Sequence, residues 1–384
     1  MYFNYTTYLP NSWWERRSFL HSWWRLYAGD RQWAPPVYTA LSRLVRGTDN
    51  PLYARLGTQM LYMDALPQRS SANTYATNTT MNAPVGASMT FEEVVSATLI
   101  QVDRRRDDDA AYLGLLRCAN DEETLERLLG KAFEQVAEQG CSQLLGPTGI
   151  LPGWNPGALV NHFNRRPPWH TPYNPPYVGE LLGSTMEPWL ETELYMVEVP
   201  AELPPAPAPA AIEPLLLPRL AGDLLPLLVE STRLDEAFPA YDQLEAETLI
   251  GWLQTAVPPE AWLATVDGVA AGFIMLQADL APLLQRTGGG KRWLKRSYLG
   301  AYLALRRHAR TRAGRLLLGA VDPEWRGQGI GLQLWRHALD RARQLGWQVI
   351  TCGPVVVESD AAAFLTRQGA NAQQRYVTYS WSPW

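Results

Sequence analysis

The sequence predicts an α/β (α+β) protein of two tandem domains, each a twisted mixed sheet flanked by helices. Three observations carry that expectation. The chain has 384 residues, too many for one ordinary core and well suited to two. Near its midpoint "VPAELPPAPAPAAIEP" (199–214) alternates proline with alanine, a composition that favours an extended, semi-rigid spacer. On both sides of that stretch, apolar runs of strand length alternate with segments of helical period, the pattern of sheets covered by helices. The expected division is a first domain over 1–198, a linker over 199–211 and a second domain over 212–384.

In the first domain, "PQRSSANTYATNTTMNAPVGAS" (67–88) lacks apolar periodicity and reads as a mobile surface loop. "ATLIQVDRRRDDDAAYLGLLRC" (97–118) reads as two strands about a charged turn. "DEETLERLLGKAFEQVAEQG" (121–140) is an amphipathic helix stopped by Gly140, "CSQLLGP" a strand, and "PYNPPYVGELLG" a short helix started by prolines.

The second domain is patterned more sharply. "IEPLLLPRL" reads as a short strand, and "AGDLLPLLVEST" and "LEAETLIGWLQTA" have helical spacing. "AWLATVDGVAAGFIMLQ" is two strands about the Asp267-Gly268 turn, a strong hairpin signal. "GRLLLGAV" (314–321) is a buried strand. Over 329–346, Ile330, Leu334, Trp335, Ala338, Leu339, Ala342 and Leu345 share one helical face, and Gly346 ends the helix. "WQVITCGPVV" (strand), "ESDAAAFLTRQG" (helix) and "QQRYVTYSW" (strand) close the domain. The order βααββ then βαβαβ gives a mixed sheet with helices on both faces, and the late part of the first domain repeats it without sharing its sequence.

Composition narrows the classes of function. The formal net charge of −4 argues against a nucleic-acid binder. Nearly all basic charge is arginine, with lysine only at 131, 291 and 295. Cys118, Cys141 and Cys352 lack metal-ligand spacing and sit in apolar stretches, so they read as reduced, buried residues, and no metal site is proposed. The N-terminus lacks signal-peptide architecture, and no apolar run is long enough to cross a bilayer. A cytoplasmic protein is expected, with no membrane partner, and with a homodimer left open.

The motif that carries chemistry is "VDPEWRGQGIGLQLW" (321–335). A strand runs into three glycines and an arginine at the mouth of a helix. Unpaired N–H groups and the helix dipole favour an anion there, and glycine lets phosphate oxygens reach the main chain. Arg326 adds a forked, charged donor. A dinucleotide fingerprint fails because position 332 is Leu332, and no Gly-Lys is followed by Ser or Thr as a Walker loop requires.

In Arg326, Gly329 and Gly331, with Val321 and Pro323 at the strand exit, this stretch resembles the acyl-CoA motif R/Q-x-x-G-x-G/A of the GCN5-related N-acetyltransferase (GNAT) superfamily. The resemblance covers roughly residues 211–384. It implies an acetyl-CoA cosubstrate. Its pyrophosphate would lie on the N–H groups of Arg326, Gly327, Gln328, Gly329, Ile330, Gly331 and Leu332, and its pantetheine would pair with Gly319, Ala320 and Val321 like an added strand. The first domain, in "YAGDRQWAPP", "TDNPLYARLG", "LLGPTGILPGWNPGAL" and "PYNPPYVGELL", resembles uncharacterised bacterial proteins of GNAT-like fold. At the matching loop it has "RCANDEET", without glycine and with carboxylates that would repel a pyrophosphate. It is expected not to hold CoA in the usual way.

Acyl transfer to an amine needs a polarised thioester carbonyl, a proton acceptor for the amine and a route for the thiolate. A backbone N–H near Val321 is the expected oxyanion donor. The family's usual acid, a Tyr four residues before the glycine that here is Gly369, is replaced by Leu365, and "LLLGAV" lacks the glutamate that often serves as base. Tyr376 and Tyr379 on the last strand are the weak catalytic candidates. Glu358, Ser359 and Asp360 read as a helix cap. His162, His170 and Tyr173 lie in an irregular loop that lines a pocket or simply packs. The basic segment "KRWLKRSYLGAYLALRRHARTR" (291–312) reads as a helix with a solvated face, its alternative being an anionic or RNA ligand. The leading expectation is N-acetylation of a small-molecule or peptide primary amine by direct attack, with a non-catalytic CoA-sensing protein as the alternative.

Overall fold

The computed structural model describes residues 3–8, 13–45, 57–67, 93–103, 109–203, 205, 208–215, 220–232, 237–254, 257–290 and 311–383. The first half runs β1 (Phe3–Tyr8), α1 (Trp13–Leu26), α2 (Tyr38–Val45), β2 (Gln59–Pro67), β3 (Glu93–Val102), β4 (Ala110–Cys118), α3 (Glu122–Ala137), β5 (Gln143–Thr148), β6 (Ala158–Leu159), α4 (Pro176–Thr185) and β7 (Glu187–Glu198). The second runs β8 (Ala211–Pro214), a π-turn (Leu220–Leu224), α5 (Leu225–Thr232), α6 (Gln243–Leu253), β9 (Glu260–Val266), β10 (Val269–Ala278) and α7 (Ala281–Thr287). It continues through β11 (Ala313–Val321), a 3-10 turn (Pro323–Trp325), α8 (Ile330–Gln344), β12 (Val349–Val356), α9 (Asp360–Arg367) and β13 (Asn371–Trp381).

These strands form one continuous sheet in the order β1-β2-β3-β4-β5-β13-β7-β12-β11-β10-β9-β8, with β6 beside β13. The order holds a strand exchange. β5 pairs antiparallel with β13, the last strand of the second half, and β12 pairs antiparallel with β7, the last strand of the first. β7 and β13 pair with each other between them. Each half therefore completes its sheet with the other's final strand.

Local chemistry accounts for the elements. The β9–β10 turn holds Asp267 at φ 50° and Gly268 at φ 80°, the left-handed pair a two-residue hairpin needs. α6 starts on a reciprocal capping box between Asp242 and Glu245. Along β10, Phe273 and Met275 face a core with α5 and α6, whereas Ile274 and Leu276 face a core with α8, the alternation expected of a sheet covered on both sides. The predicted α8 face is buried at Ile330, Leu334, Trp335, Ala338, Leu339 and Ala342. Leu345 departs from it: as the C-cap it is 37% exposed, because the helix ends before the next inward turn.

The core beneath α5 and α6 does not stop at the second half. Phe19 and Leu20 of α1, Leu41 of α2 and Ile150, Leu151 and Trp154 of the β5–β6 loop belong to the same cluster as Leu225, Leu249 and Phe273. The helices on this face of the two halves thus share one interior. The described part of the Pro/Ala stretch is strapped rather than free. Ala210 exchanges two hydrogen bonds with the Gln333 side chain of α8, Arg343 donates to Ala201 O, and Leu203 packs into the second-half core. β8 covers only Ala211–Pro214, shorter than the strand expected from "IEPLLLPRL". Residues 68–88 of the polar loop and 291–310 of the basic segment lie outside the described residues. Among the described residues no helix is long and apolar enough to cross a membrane.

Candidate functional site

β11 and β12 run parallel, and their pairing extends from Ala313–Val349 to Leu316–Cys352 and no further. Beyond that point β11 continues to Val321, still paired with β10 on its other side through Gly319–Ile274, Ala320–Phe273 and Val321–Gly272. β12 instead turns through the cis Gly353-Pro354 bond and stays with β7. The two strands part, and the main chain of Gly319, Ala320 and Val321 borders the gap, with Gly319 exposed although it lies on an interior strand.

The open strand leads into the glycine turn. Asp322 caps the short 3-10 turn by accepting from Glu324 N at 2.9 Å, and Arg326 folds back so that its Nε donates to Val321 O at 3.2 Å. Gly327 lies at φ 76° and Gly329, the N-cap of α8, at φ 88°. The turn requires glycine at those two positions. Gly331 is different. It sits in the first turn of the helix, where glycine costs ~0.5–1 kcal/mol relative to alanine, and a Cβ there would meet only Val321 Cγ2 at an ordinary 3.5 Å. Packing does not demand Gly331. No side chain caps α8, while Arg326, Gly327 and Gln328 are exposed and Ile330 is buried as the anchor.

The equivalent place in the first half is closed. β4 and β5 pair on to Gly114–Thr148, and the chain beyond packs down on β4: a Cβ on Gly114 would meet Gly149 O at 3.0 Å. Gln101 Nε2 holds Ile150 O at 3.1 Å. Further along β4, the buried Arg117 guanidinium bonds the carbonyls of Leu115 and Phe19 and lies over the Phe19 and Trp23 rings. The helix that follows is capped by its own carboxylate, with Asp121 accepting from Thr124 N at 2.9 Å and Glu122 and Glu123 in the first turn.

At the parting of β11 and β12 the second half carries a residue that the sequence reading passed over. Arg315 is 1% exposed within the apolar strand. Its Nη2 donates to Gly353 O at 2.6 Å and its Nη1 to Trp169 O, in the β6–α4 loop of the first half, at 2.8 Å. Burial pulls its pKa down to about 10, against the opposing pull of Tyr376 and Asp279. Gln277 stands opposite Arg315 on β10 and is also buried. Asp279 accepts from Trp169 N at 2.8 Å and Ala281 N at 3.0 Å, and burial raises its pKa despite those bonds. The signal that could have found this cluster is the charged residue in "GRLLLGAV": a buried arginine on a strand must be answered by carbonyls from elsewhere.

The two candidate tyrosines fall in different places. Tyr376 is fully buried, its hydroxyl has no hydrogen-bond partner in the protein, and it lies in the field of Arg315; burial raises its pKa, so it stays protonated. Tyr379 packs in the α3–α4 core of the first half and donates to Gly179 O at 3.4 Å. The structure does not bring the two together. Leu365 is buried in the second-half core, Ser359 alone caps α9 by accepting from Ala362 N, and the three cysteines are buried and free. Burial pushes the Cys352 thiol up to about 12, with Arg315 opposing. Of the loop residues, His162 is exposed, Tyr173 hydrogen-bonds Asp30, and His170 approaches Arg315.

Residues 227–370 match the family model described as "Acetyltransferase (GNAT) family". No curated protein matches the chain. Among solved structures, a tandem GNAT protein from the clavulanic acid biosynthesis pathway superposes with a TM-score of 0.56 at 11% identity, covering 99% of this chain and 98% of its own. A conserved probable N-acyltransferase from Enterococcus faecalis V583 gives 0.55 at 7% identity, covering 99% and 73%. A fungal GCN5-related glucosamine N-acetyltransferase region gives 0.55 at 13%, covering 99% and 38%. At such identities these likenesses establish the fold of both halves, and the family match lies on the half with the open strand and the glycine turn: residues 227–370 match the GNAT acetyltransferase family, and the chain as a whole has a tandem GNAT fold.

Proposed function

We propose that the protein is an acetyl-CoA-dependent N-acetyltransferase, with the second half active on a primary amine by direct attack and the first half a degenerate copy. The observation that carries this is the parting of β11 from β12 after Leu316–Cys352, which leads into a turn whose Gly331 packing does not require. Gly319, Ala320 and Val321 would hold the pantetheine by their main chain. The N–H groups from Gly327 to Leu332, with the Arg326 guanidinium, would hold the pyrophosphate, the Arg326 N–H itself being taken by Pro323 O at 3.3 Å. When bound, acetyl-CoA supplies the activated acyl thioester. A main-chain N–H near Val321 would serve an oxygen that gathers negative charge. The plug over Gly114 and the carboxylate cap at Asp121 support a first half that does not hold CoA. The buried reduced thiols accord with the cytoplasm.

Calorimetry on the full chain tests the reading. CoA should bind, and Gly331→Ala should weaken it without lowering the melting temperature; a wild type that ignores CoA refutes the assignment. A second reading, CoA sensing without catalysis, is favoured by the apolar burial of Leu365 and by the lack of any carboxylate along Ala313–Val321. CoA binding without thiol release on any amine would select it.

A further inference from the structure

Both halves place a Gly-Pro at the same point of the same parallel ladder, with opposite outcomes. In the first half Tyr112 pairs with Leu145, the residue before Gly146-Pro147, and the ladder resumes beyond the proline at Gly114–Thr148. In the second half Leu316 pairs with Cys352, the residue before Gly353-Pro354, and the ladder ends there. A slip of the middle strand does not separate the two cases: β11 slips against β10 after Leu316, and β4 slips against β3 after Gly114. Nor does the proline, which withholds an N–H from both ladders alike.

What differs is the residue one step before that last pair. In β4 it is Ala111, which has no side-chain donor. In β11 it is Arg315, whose Nη2 donates to Gly353 O at 2.6 Å. Because Pro354 has no N–H, a continued ladder must draw on β12 carbonyls, and the guanidinium already holds the first of them. A charged donor in a dry place holds a carbonyl more firmly than a neutral amide does. The guanidinium is itself held by the first half. Its Nη1 donates to Trp169 O at 2.8 Å, and its Nη2 reaches Asn155 Oδ1 at 3.4 Å. Asp279 fixes Trp169 N at 2.8 Å, and Asn155 Nδ2 donates to His170 O. Both Trp169 and Asn155 are buried.

We propose that Arg315 is a positioning residue that keeps the cofactor slot open, and that the first half serves the second by fixing it. With Gly353 O held aside, β12 stays with β7, and the main chain of Gly319, Ala320 and Val321 is left to a ligand strand instead of a protein one. That ligand is the pantetheine chain of CoA, so this part of the inference rests on the N-acetyltransferase reading; the effect of Arg315 on the ladder does not. The degenerate half thereby has a task that needs no cofactor of its own. It supplies two fixed acceptors, and its neighbour keeps a gap between strands that would otherwise pair.

The test uses the full chain, with CoA as the probe and amide exchange as a second readout. In Arg315→Met, Gly353 O loses its donor and the N–H groups of β11 are the replacement the sheet offers. The ladder should extend, regaining part of the stability that the lost bonds remove. CoA affinity should fall about ten-fold or more. Without CoA, amide exchange over residues 317–321 should slow relative to the wild type, whereas a merely loosened protein exchanges faster throughout. Arg315→Lys, which still donates to one carbonyl, should recover part of the affinity. Asn155→Gly removes an acceptor from the first half at a left-handed position that suits glycine. It should weaken CoA about three-fold or more. In Arg315→Met, unchanged CoA affinity, or exchange over 317–321 that is unchanged or faster, overturns the inference and leaves the acetyltransferase reading standing. Should Arg315→Met not fold, Asn155→Gly decides, and wild-type affinity in it overturns the inference. A wild type that does not bind CoA defeats the reading, while exchange over 317–321 still decides whether Arg315 bars the ladder.

Discussion

Arg315 on β11 donates to the carbonyl oxygen of Gly353 on β12 at 2.6 Å, one residue past the last pair that joins the two strands. The same guanidinium reaches Trp169 O of the first half at 2.8 Å. One buried cation therefore ties both arms of the gap to the neighbouring half. Arg315→Met keeps much of the volume and strands both carbonyls, each costing ~1–3 kcal/mol. The expected loss is about 2–5 kcal/mol in urea unfolding, reduced by the desolvation cost that the arginine no longer incurs. A variant as stable as the wild type would show that those bonds contribute nothing net.

His170 couples stability to acid. Its folded pKa lies below the usual 6.5, so between the two values the unfolded chain binds the extra proton. Stability is then present above the unfolded pKa and is lost as pH falls through about 6.5, by up to ~1.4 kcal/mol per pH unit until the folded value is passed. His337, also lowered by burial, acts in the same direction. Denaturant melts from pH 7.5 to 5 should show this slope, and His170→Phe should flatten it. Equal slopes in the two proteins would contradict it.

The strand exchange predicts that the halves do not fold apart. A chain of residues 212–384 lacks β7, which pairs with both β12 and β13. β12 is left with a bare edge, and β13, whose partners β5, β6 and β7 all belong to the first half, is left with no pair at all, a template for aggregation. Expression of this fragment should give aggregate or a non-cooperative melt, and co-expression with 1–198 should restore soluble protein. A monomeric, cooperatively melting fragment would refute the argument.

Two glycines only seventeen positions apart should respond oppositely. At Gly314 a Cβ would lie 1.9 Å from Trp347 ring atoms, so Gly314→Ala should cost ~1–3 kcal/mol or more by overpacking. At Gly331 nothing lies closer than 3.5 Å, and alanine should raise helix stability by ~0.5–1 kcal/mol. Thermal melts of the two variants decide it.

Burial pushes Cys118 and Cys352 up to about 12. Neither should be a thiolate at pH 8, so a thiol reagent should react slowly with the native protein and quickly once it is unfolded in denaturant. Fast labelling of either cysteine in the native state would show that the burial is not maintained.

What could be read from the residues follows from short-range physics. The β9–β10 hairpin lies in Asp267-Gly268, since few other residues tolerate two left-handed positions in a row. The buried face of α8 lies in a helical period, and the glycine turn from Arg326 to Gly331 lies in the freedom of its main chain. The closed first-half loop is legible in Asp121 and its following glutamates, because a carboxylate that caps a helix occupies the place an anion would take. The strand exchange is not legible, because β7 and β13 alternate alike and either satisfies the open edge of β5 or β12; only the packed chain decides which does. Nor is the meeting of Arg315 with Trp169 and His170, 146 and 145 residues apart in sequence. A buried arginine announces that it needs carbonyls but not whose, and the answer comes from the other half through contacts that leave no period, spacing or turn signal along the chain.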